Sequence, residues 1–256
     1  MHGMPSNFTF PFEQPKDGHF LTWGPELGGL YAAVAARTGS RVACVGNPNF
    51  DRYAGRRKAR TGPVRRVLLL TCPVDRALPL SSALDPLRHI SQAAEVLASF
   101  LDLDVTVHLH PSESAAHYHG LIGSFLPRAK ITQGGPIDAC LDDSDLVIGY
   151  FSTVLMEGML LGLPVAALNF SRFEFPPPFD GRWGIPLLRS PAEIATLLGR
   201  AQEDSGAFRR SMCARHEEVI ERFVGRVDGG AAARVSKILE SIASGAPSNR
   251  APLPLR

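Results

Sequence analysis

The 256-residue chain has no apolar run near the ~18 residues that a membrane-spanning helix needs. Its four cysteines, Cys44, Cys72, Cys140 and Cys213, form no CxxC pair, which excludes a zinc or redox motif of that spacing. Cys44 and Cys72 stand in apolar runs, as reduced core thiols do. Neither GxGxxG nor GxxxxGK[ST] occurs, so a dinucleotide fingerprint and a P-loop are both missing. Net charge is only +2, too little to argue for nucleic acid, and the basic run Arg56-Arg57-Lys58-Ala59-Arg60 is local. The start, MHGMPSNFTF, lacks the apolar core of a signal peptide. The expectation from these absences is a cytoplasmic protein, peripheral at most to the inner face of the membrane, with no nucleic-acid partner.

The stretch from Asp143 to Phe170, DSDLVIGYFSTVLMEGMLLGLPVAALNF, organises what is present. Leu146-Val147-Ile148 reads as a buried parallel strand. Ser152 and Thr153 follow it, where a hydroxyl caps a helix and the helix N-terminus faces outward to receive an anion. Val154, Leu155, Met159, Leu160 and Leu161 recur at helical spacing, Gly162 stops the helix, and Pro164 begins a second buried strand.

The same alternation runs through the chain. Strands are expected at 19–24 and 41–45 around a helix at 25–37, then at 66–71, 104–110 and 129–132. Helices are expected at 87–101, 114–126, 137–141, 191–202, 207–224 and 231–244, with a long Pro-containing loop from Pro73 to Pro86. Strands alternating with helices imply an α/β class: a Rossmann-like parallel sheet with helices on both faces, and a separate βαβ unit at 19–48. The expected division is 1–52 as part of a first domain, 53–63 as linker, 64–244 as the nucleotide-binding domain and 245–256 as a disordered tail.

Ligands of such sheets bind at the carboxyl ends of the strands. Three groups fall there. His110 ends one strand, and Pro111 fixes the turn that presents its ring to a phosphate. Gln133, Gly134 and Gly135 follow another, and their backbone N–H groups could meet a base or phosphate or simply form a turn. Ser152 and Thr153 follow the third.

Two rival chemistries are weak. His108, His110, His117 and His119 suggest a metal cluster, but positions two apart on a helix do not face each other, and no metal is expected. His89, His117 and His119 read instead as partly exposed helix residues. The sequence around Ser152 is G-Y-F-S-T, without the G-x-S-x-G elbow of a hydrolase nucleophile.

An aspartate, an apolar strand, Ser-Thr, a glutamate five residues after the serine and Gly-x-Pro-Val together resemble the donor half of GT-B glycosyltransferases. The resemblance is to transferases that build surface polymers, such as CDP-glycerol glycerophosphotransferases and capsule enzymes, and extends to Met1-His2-Gly3, to Asp17 through Trp23-Gly24, and to Gly46-Asn47-Pro48 with Asp51. It implies a nucleotide-activated sugar or polyol donor held by His110, Pro111, Gln133, Gly134, Gly135, Ser152 and Thr153, with Glu157 on the ribose. It also implies catalytic roles for His110 and for His2, the latter as general base on a polysaccharide acceptor, and no bound cofactor. Such enzymes carry an acceptor-side domain before the His-Gly motif, so a missing N-terminal domain or partner chain is expected. A UDP-GlcNAc 2-epimerase-like enzyme and a non-catalytic nucleotide-binding or assembly module are the alternatives.

Overall fold

The computed structural model describes residues 18–57, 59–72 and 86–244. His2, the tail at 245–256 and nearly all of the expected loop at 73–86 lie outside these residues. The chain divides into two compact units. One joins the segment ending at Arg57 to the segment beginning at His216; the other is Lys58–Arg215. The division at Arg57 falls inside the expected linker, but residues 216–244, expected in the nucleotide-binding domain, group with the first segment instead.

In the first unit β1 (His19–Thr22), α1 (Pro25–Thr38) and β2 (Arg41–Cys44) form the expected βαβ unit, with β1 and β2 paired in parallel. Pro25 opens the helix, where its missing N–H costs nothing, and Gly39 at φ 69° closes it. The expected helix at 207–224 is broken into three pieces: a helix to Cys213, a short helix His216–Val219 and a π-helical turn Ile220–Val224. Gly225, at φ 79°, ends that turn. A Cβ on Gly225 would lie 2.5 Å from the Trp23 carbonyl oxygen, and one on Gly24 2.5 Å from that of Arg222. Two backbones touch here, which only glycine permits.

The Asp51 carboxylate accepts hydrogen bonds from the N–H groups of Ala231 (3.0 Å) and Ala232 (2.9 Å), at the start of the last helix, Ala231–Ala243. That helix has no capping side chain of its own, so Asp51 supplies the cap from far away in sequence. Asp228 pairs with Arg234, whose Nε donates to the Val45 carbonyl at 2.8 Å. The Gly46-Asn47-Pro48 turn with Asp51 and the turn at Asp228 before the last helix are thereby one structural device.

The second unit holds a six-stranded sheet, all parallel. Its strands are β3 (Arg66–Leu70), β4 (Asp104–Leu109), β5 (Lys130–Gln133), β6 (Leu146–Gly149), β7 (Val165–Leu168) and β8 (Leu187–Leu188). The order across the sheet is β5-β4-β3-β6-β7-β8. After β3 the chain steps one way to β4 and β5, then returns to the other side of β3 as β6, so direction reverses between β3 and β6. Right-handed crossovers put α2 (Pro86–Ala98) and α3 (Ala115–Gly123) on one face and α4 (Asp138–Asp142) and α5 (Thr153–Leu160) on the other. The packing agrees: α2 meets α3 and α6 (Pro191–Glu203), while Gly158 of α5 lies near Val147, Val165 and Leu141 of α4. With both faces covered, β6 and β7 are buried throughout.

At the amino edge, the Asp145 carboxylate accepts from Arg66 N (3.0 Å), Nε (3.2 Å) and Nη2 (3.1 Å), Arg65 N (3.2 Å) and Arg209 Nη2 (3.3 Å). Arg209 lies on α7 (Ser205–Cys213), so this cluster ties α7 to the starts of β3 and β6.

Candidate functional site at the sheet reversal

The carboxyl ends of β4, β3 and β6 surround the point of reversal, where open α/β sheets leave a crevice. Gly149, the last residue of β6, makes the close approach possible: a Cβ there would lie 2.7 Å from Leu70 Cβ. His110 and Ser152 leave strands that flank β3 on either side, so their backbones stand two strand spacings, about 10 Å, apart across the crevice.

On the β6 side, Ser152 caps α5, its Oγ accepting from Val154 N at 3.2 Å. The hydroxyl is committed to the helix, and what it presents is the helix N-terminus. Thr153 is half-exposed, and its hydroxyl has no hydrogen-bond partner among the described residues. Glu157, one turn further along the same face, is only 7% exposed. Glu157 therefore does not face solvent.

On the β4 side, His110 is exposed at the strand end. Ser112 N donates to His110 Nδ1 at 3.3 Å, and Ser112 Oγ lies 2.8 Å from the same atom. A backbone N–H only donates, so this network assigns Nδ1 as acceptor and puts the neutral ring's proton on Nε2, which has no partner among the described residues. The His110 N–H is spent internally, on Thr71 Oγ1 (3.0 Å) and Glu113 Oε2 (2.8 Å). Glu113 also accepts from the hydroxyls of Thr71 and Tyr118.

On the β5 side, the Gln133 amide nitrogen donates to the carbonyls of His110 (3.1 Å) and Glu113 (2.6 Å). It braces the β4 turn, so its donor is occupied. Gly134 and Gly135 follow as two consecutive exposed left-handed residues, at φ 70° and 74°. Thr71, Glu113 and Tyr118 escaped the sequence reading because none belongs to a short motif; they meet only when β3, β4 and α3 come together.

His108 points away from this network. Its Nδ1 lies 2.9 Å from Thr132 Oγ1 on the neighbouring strand, and burial lowers its pKa. Among the described residues, no three His, Cys, Asp or Glu side chains converge as a metal-binding set.

His89 departs from its expectation as a partly exposed helix residue. It is 5% exposed, stacked on Tyr150 at 6.0 Å and edge-on to Phe170 at 5.2 Å. His89 and Ile90 lie on the buried face of α2, while Arg88 beside them is exposed. Phe175 is likewise buried against Tyr150 and Phe151, so it serves packing.

No family model and no curated protein sequence matches the chain. Solved structures do. A UDP-N-acetylglucosamine 2-epimerase aligns over 93% of this chain and 61% of its own, at 14% identity and TM-score 0.55. S. aureus MnaA, solved with UDP, aligns over 93% and 62%, at 11% identity and TM-score 0.60. The UDP-GlcNAc 2-epimerase of Neisseria meningitidis, bound to UDP-GlcNAc, aligns over 82% and 58%, at 13% identity and TM-score 0.55. The chain thus spans less than two thirds of each. At these identities the likeness is one of fold, and it is the fold that the sequence resemblance implies: an α/β chain of the GT-B type.

Proposed function

We propose that the reversal crevice of the second unit binds the diphosphate of a nucleotide-activated sugar or polyol, and that the protein transfers the activated group to a surface-polymer acceptor. One observation carries the reading: the two anion-seeking groups, the His110 Nε2–H and the capped N-terminus of α5 with its unpartnered Thr153 hydroxyl, flank the crevice of the parallel sheet. In transfer, the bond from the migrating group to the leaving phosphate breaks as the acceptor oxygen bonds to that group. Negative charge grows on the departing phosphate oxygen, and fixed donors aimed at it lower the barrier. Glu157, on the Thr153 face of α5, is assigned to the ribose, and Gly134 and Gly135 to the base or phosphate through their N–H groups. His2 is assigned as general base on the acceptor hydroxyl. Residues 1–52 are read as part of the acceptor-side domain, completed by a further domain or a partner chain.

A UDP-GlcNAc 2-epimerase-like reaction is the second reading, favoured by the shared fold with proteins of that name. The test is a Ser152→Ala, Thr153→Ala double variant titrated with UDP, CDP, uridine and cytidine. The diphosphates are expected to lose about 2 kcal/mol of binding, as when a charged hydrogen-bond partner is removed, and the nucleosides almost nothing. Equal losses for both would reduce the pair to a helix cap. Preference of the parent protein for CDP favours polyol-phosphate transfer, and preference for UDP keeps the epimerase reading.

A further inference from the structure

We propose that Glu113 is the positioning residue of this site, the group that fixes where the His110 imidazole meets a diphosphate. The inference rests on the nucleotide-diphosphate reading above. Glu113 is bonded to all three strand ends on this side of the crevice. Its carboxylate accepts from the Thr71 hydroxyl, just past β3, and from the His110 N–H, just past β4 (2.8 Å). Its carbonyl accepts from the Gln133 amide at the end of β5 (2.6 Å). The Tyr118 hydroxyl of α3 occupies its second carboxylate oxygen. Thr71 and Tyr118 are 8% and 2% exposed, so these donors are rigidly held.

Two consequences follow from the geometry. The carboxylate accepts three bonds, from Thr71, Tyr118 and His110, so its charge is partly offset before an anion arrives. The Glu113 N–H also donates to the His110 carbonyl at 3.0 Å, closing a tight turn that places Ser112 against Nδ1. Glu113 therefore acts at one remove: it sets the turn, the turn sets Ser112, and Ser112 sets the ring's tautomer. The negative charge is felt by its neighbours. Burial and then Glu113 push the Cys72 thiol up to about 12 and raise Tyr118 as well, so both stay protonated and Tyr118 remains a donor.

The test uses the full chain with Glu113→Ala, Glu113→Gln and Ser112→Ala, titrated with UDP and CDP and with uridine and cytidine as controls. Ring nitrogen shifts of His110 are read by NMR in parallel. Glu113→Ala is expected to weaken diphosphate binding about tenfold, leave the nucleosides within twofold, and mix the two His110 tautomers. Glu113→Gln, which keeps an acceptor for Thr71 and His110, should recover most of the affinity. Ser112→Ala, an exposed change that removes the hydroxyl but keeps the Ser112 N–H on Nδ1, should leave the tautomer as in the parent. Unchanged diphosphate affinity in Glu113→Ala overturns the inference while leaving the site intact, and so does an equal loss for diphosphates and nucleosides. Failure of the parent chain to bind either diphosphate overturns the site reading and this inference together.

Discussion

Asp145→Ala is expected to destabilise the second unit by about 3–5 kcal/mol, because it strands a buried positive charge. Asp145 and Arg209 have side chains only 7% and 8% exposed, and Arg209 Nε has no partner even in the intact cluster. Removing the carboxylate also orphans the N–H groups of Arg65 and Arg66 at the entry to β3. Denaturant unfolding of parent and variant checks this, with the midpoint falling at constant slope. A change below 1 kcal/mol would mean that solvent reaches the cluster far more readily than its burial implies.

The cluster also predicts a pH dependence. Burial pushes the Asp145 carboxyl up, but the side-chain and backbone hydrogen bonds of Arg66, with that of Arg65, outweigh it and hold the group below the usual carboxylate range. A depressed folded value means that the stabilisation is fully present above the unfolded value of about 3.9, and is lost as pH falls through the folded value. In Asp145→Asn this part of the acid sensitivity should vanish, so the parent and variant curves converge as the pH drops below about 4.

His110→Ala is expected to cost 10- to 100-fold in UDP or CDP affinity, about 1.5–3 kcal/mol for a lost charge-assisted bond. Unfolding should scarcely move, because the ring is exposed and among the described residues is bonded only to Ser112, while the structural bonds of the turn run through the His110 backbone. Calorimetry reads the affinity and thermal melting reads the fold. Equal affinity for parent and variant would remove His110 from the site.

Five of the six strands were legible in the sequence because a doubly covered parallel sheet marks its longer strands; the two-residue β8 (Leu187–Leu188) left no such mark. Val67–Leu70, Leu146–Gly149 and Val165–Leu168 are uninterrupted apolar runs, and Ser152 and Gly162 bracket α5 with ordinary cap chemistry. Both halves of the crevice could be named for the same reason: His110 and Ser152 follow strands directly, so order along the chain gives their edge of the sheet.

What stayed hidden depends on contacts between distant segments. Nothing near Glu113 shows that Thr71 and Tyr118 will reach it. His89 looks polar in a helix and is buried because Tyr150 and Phe170 come from beyond β6 and β7. Gly24 and Gly225 bring two backbones into contact from distant parts of the first unit, and Asp51 caps the last helix, so 216–244 groups with the first segment. A local pattern carries none of this, since even Thr71 and Glu113 are 42 residues apart, and Asp51 and Ala231 are 180 apart.

The central claim is that a nucleotide diphosphate occupies the carboxyl edge of the sheet where strand order reverses. Titrating isotope-labelled protein with UDP and with CDP, and following backbone amide resonances, tests it most directly. The account predicts that the largest shifts fall at Thr71, at His110 to Glu113, at Gly134 and Gly135, and at Ser152 to Val154, while the amino edge around Arg66, Asp145 and Arg209 stays still. Shifts centred on the amino edge, or none at saturating nucleotide, would contradict it.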